Sequence, residues 1–138
     1  MSLHMAIVYT GSIEAVDWPQ LAALFVRTDL GDRSPQLLQA LFQGSQVTVF
    51  AHDEERLVGA ARALSDFVLW SAIFDVAVDP AYQGKRIGAT LMQMISDATG
   101  TPNAMLKSVP GKEPFYAGLG FCAMPAGMER QHSGAPRG

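Results

Sequence analysis

The spacing of apolar and polar positions along the chain predicts a mixed set of elements. Residues 6–9 (AIVY) read as a short strand. A helical period starts at Trp18, with Leu21, Leu24, Phe25 and Thr28 on one face. Asp17 is placed to cap that helix, and Pro19 suits its first turn. A loop holding Gly31 follows. Ser34-Pro35 then opens a second helix with Leu37, Leu38, Leu41 and Phe42 as its apolar face, closed by Gly44.

Residues 46–51 (QVTVFA) alternate and are β-branched, which predicts a strand. The polar run 52–56 reads as a hairpin turn, and residues 57–64 (LVGAARAL) return as the second strand, with Gly59 at a bulge. After a Ser65-Asp66 turn, residues 70–79 (WSAIFDVAVD) are apolar enough for a central strand, stopped by Pro80. Residues 84–99 read as a loop running into a helix whose inner side is Ile87, Leu91, Met94, Ile95 and Ala98. A strand over 103–109, a short helix over 111–119 closed by Gly120, and a last strand over 121–124 complete the order, with 128–131 continuing that strand. Residues 1–5 read as a leader left from expression or a flexible N-terminus. Residues 6–130 read as one domain and residues 131–138 as a flexible tail. The expected fold class is α/β (α+β).

Composition narrows the function. At 138 residues with 49% apolar positions, the chain suits one domain with a real core. A net charge of −3 argues against a nucleic-acid-binding module, whose footprint is a basic stripe. No apolar run reaches membrane-spanning length, so no membrane partner is expected. One cysteine, Cys122, excludes an internal disulfide and fits a reducing, cytoplasmic setting. It reads as a small buried hydrophobe. His4, His52 and His132 have no metal-ligand spacing, so no metal is expected.

The chemistry concentrates where the central strand ends. Val76 to Pro80 lead into Gln83, Gly84, Lys85, Arg86, Ile87, Gly88 and Ala89 at a helix start. Successive backbone N–H groups at a helix N-terminus form a pyrophosphate cradle, and Gly84 and Gly88 allow close approach. The spacing is not that of a Walker A loop, since no Lys-Ser or Lys-Thr follows Gly88.

The stretch resembles the acyl-CoA signature [QR]-x-x-G-x-[GA] of the GCN5-related N-acetyltransferases, the GNAT superfamily. Gln83, Gly88 and Val78-Asp79-Pro80 match it, while Arg86 stands at the central glycine. A left-handed backbone there would be costly for arginine; an ordinary helical one would not. Residues 113–121 (EPFYAGLGF) resemble the family's F-Y-x-x-x-G-F ending, and Leu57 to Arg62 its third strand.

The resemblance implies a mixed, mostly antiparallel twisted sheet of six to seven strands with about four helices. It implies acetyl-CoA and an amine as partners, with homodimers common in the family. The backbone of Val76 and Val78 would pair with the pantetheine arm, and Gln83 to Ala89 would hold the pyrophosphate. Tyr116 would be the acid that protonates the leaving thiolate, or else a packing tyrosine. Asp75 is a candidate base, or the partner of Arg62 if the two share a side. Asp66 would bind a substrate cation or make a turn. Trp70, with Phe67, would line the acceptor pocket or cap the core. The expected activity is N-acetyl transfer to a primary amine of a small molecule or peptide. A non-catalytic acyl-CoA sensor is the alternative.

Overall fold

Strand patterns in the middle of the chain, where β-branched and small residues concentrate, build the sheet. The structure, a computed structural model, describes residues 6–132. Five strands form: β1 (Ile7–Thr10), β2 (Val47–Asp53), β3 (Arg56–Ser65), β4 (Trp70–Val78) and β5 (Asn103–Leu106). They lie in the order β1-β2-β3-β4-β5. The first three pairings are antiparallel, and β4 pairs with β5 in parallel. The class is the expected α/β one, with five strands among the described residues rather than six or seven.

The helices are α1 (Trp18–Arg27), α2 (Pro35–Gln43), α3 (Ile87–Thr99) and α4 (Glu113–Ala117). The capping expectations hold. Asp17 accepts from the Gln20 N–H at 3.1 Å, and Ser34 from the Leu37 N–H at 3.1 Å. Leu21, Leu24 and Phe25 of α1 and Leu38 and Phe42 of α2 are buried with Phe50, Ala60 and Ala77 of the sheet. Neighbouring β3 positions point to opposite faces. Ala60 meets that core, while Gly59 faces Ile87 and Leu91 of α3. So α1 and α2 cover one face of the sheet and α3 the other.

Gly59 has a packing role. A Cβ there would lie 3.1 Å from Ile87 Cγ2, 3.1 Å from Leu91 Cδ1 and 3.3 Å from Ala51 Cβ. Its lack of a side chain lets α3 approach the sheet. The bulge expected at Gly59 lies beside it. Ala51 opposes Gly59 and His52 opposes Leu57, so Val58 is the extra residue.

The described residues up to Lys107 form one compact unit, and those from Ser108 onward form another. The second holds α4 and an irregular segment. No strand forms over 121–124 or 128–131, contrary to expectation. That run is short and holds Gly120, Pro125 and Gly127 within or beside it, so it offers few consecutive residues for a ladder. Cys122 is accordingly exposed, not buried. Within α3, Ala98 is exposed, while Met92 and Thr99 are buried; the Thr99 hydroxyl is satisfied by the Ile95 carbonyl at 2.9 Å. Leu37 of α2 is also exposed. Residues 1–5 (with His4) and 133–138 of the expected tail lie outside the described residues.

Candidate functional site

β4 has unequal neighbours. On one side β3 follows it to Val78, opposite Gly59. On the other, β5 pairs only with Trp70 to Ile73. Phe74 to Val78 therefore have no β5 partner, and one backbone edge of β4 runs on beyond the end of β5. Such an edge can take an extended ligand by main-chain hydrogen bonds. Val76 and Val78 both lie on it.

The same stretch carries a bulge. Ala60 opposes Ala77, but Arg62 opposes Phe74, so two β4 residues, Asp75 and Val76, stand against Ala61. Asp75 has φ +59. A left-handed first residue is the mark of one bulge type, usually glycine; aspartate tolerates it better than most residues. A bulge increases local twist and takes backbone groups off the ladder.

Ion pairs hold the bulge and the strand end. Asp75 has a side chain only 8% exposed, and its Oδ2 receives Arg62 Nε at 2.7 Å and Arg33 Nη1 at 3.0 Å. Arg62 also reaches Ser45 Oγ at 3.3 Å and lies over the Phe74 ring. Asp75 thus shares a side with Arg62, and its interactions are those of a structural anchor. Asp79, 2% exposed, accepts from Arg27 at 3.0 Å, Arg56 at 3.1 Å and the Ala81 N–H at 2.9 Å. Burial alone would raise its carboxyl, but the Ala81 N–H and the two guanidiniums outweigh that and hold it below the ordinary value. Sequence reasoning found Asp79 only as part of a strand end. Its two arginines and Arg33 were missed, since nothing local marks a partner that far along the chain.

Asp79 also caps the turn that starts the loop. Pro80–Tyr82 form one turn of 3-10 helix, and the Tyr82 hydroxyl donates to Asp53 Oδ2 while Arg56 lies over its ring. From this anchored base Gln83, Gly84, Lys85 and Arg86 are exposed. Gly84 has φ +80 and Arg86 φ +63, so the costly alternative for arginine is the one found. Arg86 supplies no side-chain cap to α3. The first intrahelical bond goes from the Thr90 N–H to the Arg86 carbonyl at 3.0 Å. The N–H groups of Ile87, Gly88 and Ala89 thus begin a 13-residue helix with donors and dipole aimed outward, suited to a phosphate. Gly88 and Ala89 add little bulk there.

The expected acceptor residues lie elsewhere. Asp66 is a turn residue. Its carboxylate accepts the N–H groups of Val68 (2.7 Å), Leu69 (2.7 Å) and Trp70 (3.1 Å), which pull its pKa below the ordinary value. Trp70 is 42% exposed at the start of β4, where β5 is fully paired. It is five residues from Asp75, about 16 Å along a strand. Phe67 is likewise exposed at that turn. Neither caps the core. Tyr116 belongs to the second unit, in α4, and its ring meets Phe115 at 4.9 Å and Phe121 at 6.1 Å, both edge-on. Burial raises its phenol above 10.0. Among the described residues no cluster of metal-binding side chains occurs.

Comparison with known proteins gives a consistent family. The model of the acetyltransferase (GNAT) domain matches residues 19–136. An uncharacterized N-acetyltransferase of Prochlorococcus marinus is 36% identical over 87 residues, covering 59% of this chain and 48% of that protein. The chloroplastic serotonin N-acetyltransferase 2 of Oryza sativa subsp. japonica is 30% identical over 122 residues, covering 83% of this chain and 60% of that protein. The chain thus spans about half the length of these curated relatives. The structure of a GNAT family acetyltransferase from Streptococcus pneumoniae TIGR4 superposes with a TM-score of 0.71 at 24% identity. It covers 91% of this chain and 100% of that one, which establishes a shared fold.

Proposed function

The chain belongs to the GNAT acetyltransferase family, and on that premise we propose that it transfers the acetyl group of acetyl-CoA to a primary amine, preferably of a small molecule. One observation carries the reading. The open edge of β4 at Phe74 to Val78 leads, through a loop anchored at Asp79, to the uncapped N-terminus of α3. An extended arm ending in a pyrophosphate needs both features in that order.

In this reading the backbone of Val76 and Val78 pairs with the pantetheine amides. The N–H groups from Gln83 to Ala89 receive the pyrophosphate, with Lys85 and Arg86 adding exposed positive charge. The neutral amine attacks the thioester carbonyl and forms the C–N bond. An off-ladder N–H of the bulge stabilises the developing oxyanion. As the C–S bond breaks, the thiolate takes a proton; the family resemblance alone gives that role to Tyr116, whose raised phenol stays protonated at neutral pH. The amine's surplus proton leaves to solvent. Asp75 is given no part in proton transfer, because its Oδ2 holds both Arg62 and Arg33. Asp66 and Trp70 are given no part in acceptor binding.

The acceptor class rests on the name of the rice relative, which describes N-acetylation of a small primary amine. Calorimetry with acetyl-CoA, CoA and ATP tests the donor site. Acetyl-CoA and CoA should bind and ATP should not. Absence of CoA binding would overturn the reading. Acetyl-CoA binding without turnover on a broad panel of primary amines would favour a sensor instead.

A further inference from the structure

We propose that Arg33 is a positioning residue that ties the α1–α2 connection to the bulge of β4. The inference rests on the reading above for its consequence, because that reading takes its oxyanion donor from the bulge.

The geometry starts with Asp75. A left-handed residue inside a strand is sparsely populated and persists only when its surroundings over-determine it. Arg62 supplies part of that constraint from the adjacent strand, bonded to Asp75 Oδ2 at 2.7 Å and to Ser45 at 3.3 Å. It ties β3 to β4 and to Ser45 in the turn after α2. Arg33 is placed differently. It lies outside any helix or strand, in the connection between α1 and α2, and reaches the same Oδ2 at 3.0 Å. Its guanidinium also lies 5.6 Å from the centre of the Phe25 ring, in the core of α1. The connection itself turns through two left-handed residues, Asp29 (φ +61) and Gly31 (φ +105). Among the described residues, the contact with Asp75 is its one ion pair to the sheet. Arg33 is thus a strut whose backbone sits in the connection and whose guanidinium rests between Phe25 of α1 and the bulge. When it is in place, the connection and the backbone donors at Val76 are set together; when it is lost, both gain freedom.

Loss of Arg33 leaves Arg62 on Asp75, so no buried carboxylate is stranded and the fold is expected to survive. Lysine keeps the charge but offers one ammonium in place of the planar fork, so it should restore the tie in part.

Amide hydrogen exchange, followed by mass spectrometry on the whole chain, tests this with Arg33→Gln, Arg33→Lys and, as a control, Arg27→Gln. Arg27 pairs with Asp79 rather than with the bulge. Arg33→Gln should speed exchange about two- to five-fold in the peptides over 28–34 and over 74–77 alike, the range expected for losing a part-exposed ion pair. Arg33→Lys should fall between it and the parent. Arg27→Gln should leave 74–77 at the parent rate. Faster exchange over 28–34 with 74–77 unchanged would overturn the proposal. So would equal effects of the lysine and glutamine variants, or a general rise at every peptide. The exchange is read without ligand, so a parent protein that fails to bind acetyl-CoA would refute the function proposed above and leave this test standing.

Discussion

Arg86→Gly should make the protein more stable while slightly weakening its hold on an anionic ligand. Arg86 has φ +63 and ψ +18 at the start of α3, and it supplies no side-chain cap. Its guanidinium makes no hydrogen bond or ion pair among the described residues. A left-handed backbone costs a residue with a Cβ about 1–2 kcal/mol. Glycine removes that cost but adds unfolded-state freedom worth about 0.4–1 kcal/mol. The net gain is about 0.5–1 kcal/mol. For a chain of this length the unfolding entropy is about 0.3 kcal/mol/K, so Tm should rise by about 2–3 °C. Arg86→Ala separates the two effects. It keeps the left-handed demand and removes the charge, so it should not share the stabilisation. Both variants lose one exposed cation near the proposed pyrophosphate site, so both should bind CoA about two- to five-fold more weakly at low salt. That loss should shrink in high salt, where exposed charges are screened. Scanning calorimetry reads stability, and titration calorimetry at two salt concentrations reads binding. A lower Tm for Arg86→Gly than for the parent would refute the strain argument. A loss of binding that did not depend on salt would refute the charge argument.

Three further outcomes follow from the geometry. Gly59→Ala should destabilise by about 1–3 kcal/mol, because its Cβ would press on Ile87, Leu91 and Ala51; a neutral effect in urea unfolding would mean α3 can shift freely. Asp79→Asn should cost about 1–3 kcal/mol at pH 7, discounted for the partial exposure of Arg27 and Arg56. Folding depresses the Asp79 pKa below 3.8, so its contribution is complete above that value and is lost as pH falls through the lower folded value. The gap between parent and variant should therefore narrow from pH 5 to pH 3, and a constant gap in urea titrations would contradict the assignment. Tyr116→Phe should lower acetyl transfer by about 10²–10⁴ with the acetyl-CoA Kd unchanged; unchanged turnover would leave Tyr116 as a packing residue only.

What the chain determined by itself is what depends on neighbours in sequence. The caps Asp17 and Ser34, the prolines beside them and the apolar spacing of Leu21, Leu24 and Phe25 act within one or two helical turns, so α1 and α2 could be read directly. The strands β2 to β4 and the glycine-bearing loop into α3 were legible for the same reason. Signals of four residues without a partner were not enough, as the absent strand at 121–124 shows. Only the tertiary structure decided the bulge at Asp75, since register belongs to a pair of strands and not to either one. Likewise, it alone brought Arg27 to Asp79 across 52 positions and Arg33 to Asp75. A charged side chain carries no local mark of its partner. Which opposite charge it meets depends on where the packed sheet and helices place it.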